Sequence, residues 1–208
     1  PSDGADSQAL LKNADIAMYR AKEQGKNNFQ FYAAQMNKHT IERFALESNL
    51  RRALERKEFL LHYQPKLEIA SGRVTGMEAL VRWQRPGSGM LPPLQFIPIA
   101  EETGLIVPIG EWVLKAACGR NRAWHEQGLP RLRVAVNLSA RQFAQANLVR
   151  DVAQVLDGTG LDPDMLELEI TESMVMGNPE QAVQTLRQLK SMGIGLTLDD
   201  FGTGYSSL

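Results

Sequence analysis

Acidic and amide side chains recur in this sequence where short apolar runs come to an end. The residues concerned are Asn137, Glu169 and the adjacent pair Asp199 and Asp200. Carboxylate and amide oxygens suit Mg²⁺ or Mn²⁺, and clustered carboxylates without a cation would repel one another. Two neighbouring aspartates could bind two ions a few ångströms apart, the arrangement that activates a water in phosphodiester hydrolysis.

A fourth carboxylate, Glu78, lies inside an earlier apolar run that also contains Arg82. Alternate residues of a strand face the same side, so Glu78, Leu80 and Arg82 should share one face. A guanidinium on that face could clamp a phosphate with two hydrogen bonds. Any one of these polar residues alone could be a helix cap or a surface group. Together they favour phosphate chemistry assisted by divalent metal ions.

The elements that must position these residues alternate between strand and helix. We predict strands at 59–64, 74–83, 134–138, 166–171 and 195–199, and helices at 93–103, 109–127, 140–156 and 179–192. The first two strands are close enough to pair as a hairpin through Ser71 and Gly72. The last three start about 30 residues apart, the length of a strand and a crossover helix, which indicates a parallel sheet and, by repetition, a barrel. Active sites of such barrels lie at the C-terminal ends of the strands.

The first part of the chain follows a different pattern. Apolar periodicity predicts a helix at 9–21, aromatic residues predict a short strand at 28–32, and a second amphipathic helix is expected at 37–56. The second helix has the character of a linker that leads into a domain.

Composition narrows the class of protein. The chain has 208 residues, of which 43% are hydrophobic, and its 23 basic and 24 acidic residues give a net charge of −1. Such a balance gives no support to wholesale nucleic-acid wrapping or polybasic membrane contact. The single cysteine, Cys118, excludes an intrachain disulfide or a thiolate metal cluster and fits a reducing cytosol. His62 and His125 have no partner histidine at metal spacing and are assigned no role.

A series of motifs resembles the EAL domain, in order along residues 42–208. They are Tyr63-Gln64-Pro65, Glu78-Ala79-Leu80-Val81-Arg82-Trp83, Phe96-Ile97-Pro98, Glu101-Glu102-Thr103-Gly104, Asn137-Leu138-Ser139, Glu169-Ile170-Thr171-Glu172-Ser173 and the segment from Asp199 to Leu208. The resemblance implies an α/β fold, a modified (β/α)₈ TIM-like barrel with an antiparallel first strand. It also implies hydrolysis of cyclic di-GMP (c-di-GMP) to linear pGpG by a site with two Mg²⁺ or Mn²⁺ ions.

The same resemblance assigns roles to individual residues. It implies that Glu78, Asn137, Glu169 and Asp199 bind the first metal, and that Asp199 and Asp200 bind the second. It implies that the dinucleotide is contacted by Gln64, Glu78, Leu80, Arg82, Pro98 and Asn137. Glu172 resembles the glutamate that anchors the Gly-rich loop, although it could instead be the opening charge of the next helix. The loop 200–208 is the part that couples dimerisation to catalysis in the family, so a homodimer is expected through it.

Residues 9–32 resemble the C-terminal tail of a GGDEF domain. The expected organisation is a GGDEF tail at 1–33, the start of a linker helix at 34–41 and an incomplete EAL barrel at 42–208, within a longer tandem protein of the cytoplasm. The family's catalytic lysine would follow Leu208, so we expect the 208-residue chain by itself to be inactive. The alternative to a phosphodiesterase is an EAL domain that serves as a c-di-GMP receptor without turnover. Every ligand position inside the chain carries an acidic or amide residue, which favours the enzyme.

Overall fold

The structure, a computed structural model, describes residue 3 and residues 6–23 and 27–199. The described residues fall into two units that meet between Arg52 and Ala53. The helices in chain order are α1 (Ser7–Glu23), α2 (Gln35–Ala53), α3 (Pro93–Thr103), α4 (Ile106–Glu126), α5 (Ala140–Phe143), α6 (Leu148–Thr159), α7 (Glu172–Met176) and α8 (Pro179–Ser191). The strands are β1 (Phe59–Leu67), β2 (Val74–Arg85), β3 (Gly89–Leu91), β4 (Arg133–Asn137), β5 (Leu166–Thr171) and β6 (Gly195–Asp199).

The first unit consists of α1 and most of α2. Helix α1 buries Ile16, Ala17 and Ala21, as the apolar stripe predicts. The guanidinium of Arg43 on α2 lies 5.0 Å from the ring centroid of Tyr19 on α1. The predicted strand at 28–32 is wrong: residues 28–33 form no regular element, and Phe29 and Phe31 are exposed. Aromatic composition alone favoured a strand there, but no strand among the described residues pairs with it.

The second unit is built on one sheet. Among the described residues the strand order is β1-β2-β4-β5-β6, with β3 paired to β2. Strand β1 runs antiparallel to β2, whereas β2, β4, β5 and β6 are mutually parallel. The predicted hairpin is therefore confirmed, and Gly72, with φ of 68°, supplies the left-handed residue of its turn.

The parallel strands alternate between two faces. On β4 and β5 the side chains of Val134, Val136, Leu166 and Leu168 are buried. The residues between them include Glu167 and Glu169, which therefore point to the opposite face of the sheet. Helix α6 packs with Leu148, Val152 and Leu156 buried at four-residue spacing, so its apolar stripe faces inward.

The predicted helix at 140–156 is wrong as a single element. It divides into α5, which ends at Phe143, and α6, which begins at Leu148. Ser139 begins α5 with a capping box, in which its hydroxyl accepts from the backbone N–H of Gln142 and the Gln142 side chain accepts from the Ser139 backbone. This cap fixes the turn that directly follows Asn137.

Candidate active site

The predicted ligands come together because neighbouring strands end at one edge of the sheet. Asn137 is the last residue of β4 and lies in register with Glu169 of β5. Asp199 is the last residue of β6 and lies in register with Thr171. Glu78 lies within β2 opposite Ala135, yet its Oε1 accepts a 2.7 Å hydrogen bond from Nδ2 of Asn137. Four strands thus contribute to one polar cluster.

Glu169 is the buried member of this cluster, with 6% of its surface exposed. Burial raises the pKa of its carboxyl group, and the nearby charges of Glu78 and Asp199 raise it further, while Lys66 acts in the opposite direction. Oxygen Oε2 of Glu169 is buried and has no hydrogen-bond partner among the described residues. A buried carboxylate oxygen in that condition requires a cation or a donor to offset its desolvation.

Lys66 is a charged residue of the cluster that the sequence prediction missed. Its Nζ donates to Oε1 of Glu167 at 2.7 Å and to Oε1 of Glu169 at 2.5 Å. Burial would lower the pKa of Lys66, but these two carboxylates raise it. Burial alone would raise the pKa of Glu167, yet the contacts with Lys66, Thr197 and Arg133 lower it. The only signal in the sequence was alternation along β1, which places Lys66 on the same face as Gln64.

The predicted substrate-binding residues lie at different distances from this cluster. Gln64 is exposed and lies in register opposite Glu78. Leu80 lines a cavity of about 230 Å³ together with Asn137 and Ile97. Pro98 is exposed within α3 and is not among the residues that line this cavity.

Arg82 lies near the end of β2 and is half-buried. Its Nη1 donates a 2.9 Å hydrogen bond to the carbonyl oxygen of Val81. Within residues 27–199 no carboxylate forms an ion pair with its guanidinium. Most of its donor groups therefore remain available for an anionic ligand.

Two predictions concern the end of the chain. Glu172 is half-buried in the first turn of α7, the position that the helix-opening interpretation predicts. Its role as loop anchor stays a prediction, because the loop 200–208 lies outside the described residues. Asp200, predicted to bind metal, and the predicted dimer contact through 200–208 lie outside them as well.

The side chains predicted as metal ligands have the chemistry that a hard divalent cation requires. Glu78, Asn137, Glu169 and Asp199 offer oxygen ligands only, as Mg²⁺ and Mn²⁺ prefer. Within the described part of the chain, no three His, Cys, Asp or Glu side chains lie close enough to hold one ion. Glu78, Glu169 and Asp199 are therefore not gathered at ligand distance around one point, and the fit rests on the chemistry of the donors. The unpartnered Oε2 of Glu169 is the observation that supports the fit.

Comparison with known proteins identifies the family. The EAL domain profile matches residues 47–208, so the chain belongs to the EAL domain family. It is 49% identical over its whole length to the bifunctional diguanylate cyclase/cyclic di-GMP phosphodiesterase MucR of Pseudomonas aeruginosa. It is 45% identical to the cyclic di-GMP phosphodiesterase PdeR of Escherichia coli, again over its whole length. The chain spans 30% and 31% of the length of these two relatives.

Solved structures agree with this assignment. The phosphodiesterase PaMucR in complex with c-di-GMP is similar with a TM-score of 0.75 at 50% identity, over 78% of this chain and 66% of that one. The EAL enzyme Bd1971, bound to cAMP and cyclic di-GMP, is similar with a TM-score of 0.75 at 29% identity, over 100% of this chain and 54% of that one. The predicted fold class, a TIM-like barrel with an antiparallel first strand, is confirmed. Among the helices described, none is both long and apolar enough to cross a membrane.

Proposed function

We propose that this chain carries part of a phosphodiesterase that hydrolyses c-di-GMP to linear pGpG with two bound Mg²⁺ or Mn²⁺ ions. The observation that carries the proposal is the hydrogen bond between Asn137 and Glu78, beside the buried carboxylate of Glu169 and the end of β6 at Asp199. These oxygen donors lie where a barrel of parallel strands holds its active site. The activity named for the relatives MucR and PdeR supports the same conclusion.

The metal ligands in this proposal are Glu78, Asn137, Glu169 and Asp199 for one ion, with Asp199 and Asp200 for the other. When bound, the two ions would activate a water and stabilise the leaving oxygen of the phosphodiester. The protein's own part is to hold the ligands in place before the ions arrive. The Asn137 amide does so for Glu78, because its N–H group bonds one carboxylate oxygen and leaves the amide oxygen available.

Substrate binding is assigned to Gln64, Leu80, Arg82 and Pro98, together with Glu78 and Asn137 of the metal site. Arg82 would clamp a phosphate, because its guanidinium bonds only a neighbouring carbonyl among the described residues and offers several further donors. Leu80 would contribute apolar contact from the wall of the cavity beside Asn137. Gln64, exposed opposite Glu78, would supply a neutral hydrogen-bonding group next to the carboxylates.

The proposal extends to the protein around this chain. We assign residues 1–33 to the tail of a GGDEF domain, 34–41 to a linker helix and 42–208 to the EAL domain. The division of the chain into two units and the bifunctional name of MucR support a tandem arrangement, although the units divide after Arg52 and not at residue 41. A homodimer through 200–208 and a location in the reducing cytosol belong to the same proposal.

The test is c-di-GMP turnover and binding by the full-length parent protein with Mn²⁺. Glu78→Gln keeps the size of the side chain but removes a charged ligand. Its turnover should fall by more than the roughly 10–100-fold that loss of an outer metal partner costs. Glu111→Gln, at an exposed position on α4, is the matched control and should keep full turnover. Tight c-di-GMP binding by the wild type without any pGpG would make the protein a receptor and refute the enzyme.

A further inference from the structure

Lys66, near the C-terminal end of β1, forms ion pairs with two carboxylates of β5. Its single nitrogen lies 2.7 Å from Oε1 of Glu167 and 2.5 Å from Oε1 of Glu169, residues that follow it by 101 and 103 positions. The Lys66 side chain is 35% exposed, whereas those of Glu167 and Glu169 are 15% and 6% exposed. The ammonium group of Lys66 therefore binds two carboxylates that lie on the same face of β5.

The two carboxylates are not held in the same way. Glu167 also has Arg133 near it, with Nη1 3.6 Å from its Oε2. Glu169 has Lys66 as its ion-pair partner within residues 27–199, and that contact uses Oε1 alone. Oxygen Oε2 of Glu169 is left buried and without a hydrogen-bond partner among the described residues. Lys66 thus fixes one oxygen of Glu169 and leaves the other for a ligand.

We infer that Lys66 is a positioning residue of the metal site: it orients the Glu169 carboxylate so that Oε2 is presented to a divalent ion. The inference rests on the proposed function, because Glu169 is a proposed ligand there. A carboxylate that is free to rotate must be ordered when the ion binds, and Lys66 removes that cost in advance.

The arrangement of charges agrees with this role. A lysine beside a metal ligand would repel the ion if its charge were unbalanced, but Glu167 lies at hydrogen-bond distance from the same nitrogen. Glu167 therefore neutralises Lys66, and Arg133 lies near the other oxygen of Glu167, Oε2. The Lys66–Glu167 pair orients Glu169 without adding net positive charge at the site.

The experiment is Mn²⁺ binding to the full-length parent protein, followed by electron paramagnetic resonance of the free ion. Lys66→Met should weaken Mn²⁺ binding by about 10–100-fold, the cost typical of losing an outer partner of a metal ligand. Lys66→Arg, which keeps a donor and a charge, should recover much of the affinity. Arg133→Met, which removes a cation from Glu167 but not from Glu169, is the matched control and should bind Mn²⁺ as the wild type does.

Turnover gives a second readout. With limiting Mn²⁺, Lys66→Met should hydrolyse c-di-GMP slowly, and saturating Mn²⁺ should restore kcat while KM for c-di-GMP stays unchanged. Metal binding would also stabilise a weakened fold, so this readout counts only for variants that circular dichroism shows to be folded. A protein that binds Mn²⁺ through Lys66-dependent affinity yet leaves c-di-GMP intact would refute the proposed phosphodiesterase and leave the role of Lys66 standing.

Lys66→Met leaves two carboxylates without their cation, so the variant could unfold. The double variant Lys66→Met/Glu167→Gln removes the extra negative charge as well and provides a folded alternative, verified by circular dichroism. Weak Mn²⁺ binding by the folded double variant supports the inference. Wild-type Mn²⁺ affinity in either folded variant, or no Mn²⁺ binding by the wild type, overturns it.

Discussion

The side-chain amide of Asn137, at the end of β4, donates a 2.7 Å hydrogen bond to Oε1 of Glu78 on β2. The two residues are 59 positions apart in the sequence, and β2 and β4 are adjacent parallel strands. The bond joins two proposed ligands of one ion. Because Asn137 donates through nitrogen, its oxygen remains available to the metal.

Asn137→Ala removes both the donor to Glu78 and an oxygen ligand. A hydrogen bond to a charged group contributes about 1.5–3 kcal/mol, so kcat/KM for c-di-GMP should fall by about 10–100-fold or more. The measurement is steady-state turnover by the full-length parent. Gln145→Ala, which removes an exposed amide in the segment between α5 and α6, should leave kcat/KM unchanged. Equal activity of the two variants would argue against any role for Asn137.

Arg82→Lys tests the phosphate clamp. Lysine keeps the charge but loses the fork of donors that binds two phosphate oxygens at once. We expect KM for c-di-GMP to rise by about tenfold, with Mn²⁺ affinity unchanged, because Arg82 is not a proposed ligand. The control is Arg85→Lys on the same strand. Arg85 is three positions from Arg82, so its side chain faces the opposite side of β2. A rise in KM of the same size in the control would remove the special role of Arg82.

Most of the strand positions could be predicted because apolar runs of strand length have a clear signal. The bounds predicted for β5 and β6 agree with the structure, and β4 is shifted by one residue. The predicted end of β1 at Gln64 is too early, since the strand continues through Pro65 to Leu67. The structure tolerates Pro65 because β1 is an edge strand of the described sheet.

Lys66 shows what the sequence could not supply. Its contact with Glu167 and Glu169 depends on how β1 and β5 are placed across the sheet, and on the reach of a long side chain. No local pattern contains that information. The proposed ligands were easier to find, since parallel strands bring their C-terminal ends to one edge whatever the side chains are.

Gly110 and Gly119 lie on the same helix and make a matched pair. A Cβ on Gly110 would lie 2.1 Å from Nε2 of the buried Gln142 side chain, whereas one on Gly119 would meet only Thr159 Cγ2 at 3.8 Å. Gly110→Ala should displace Gln142 and destabilise the domain by about 1–3 kcal/mol. Gly119→Ala should be neutral or stabilise it by up to about 1 kcal/mol. Thermal unfolding of the two variants decides, and equal Tm values would contradict the prediction.

Cys118 is fully buried on α4, and burial raises the pKa of its thiol from 9.0 to about 12. The unfolded thiol ionises first as pH rises, so this group destabilises the folded state only above about pH 9. The thiolate is the reactive form, so alkylation of native Cys118 should be at least about 100-fold slower than that of the denatured chain at pH 9. Between pH 9 and 11 the native rate should keep rising, while the denatured rate levels off. Mass spectrometry of the Cys118 peptide measures both, and similar rates at pH 9 would contradict the burial of this thiol.

The most direct test of the proposed phosphodiesterase is chromatography of the products when the full-length parent is incubated with c-di-GMP. With Mn²⁺ present, linear pGpG should accumulate, and removal of the metal with EDTA should stop its formation. Intact c-di-GMP under both conditions, at protein concentrations where the nucleotide is demonstrably bound, would contradict the assignment.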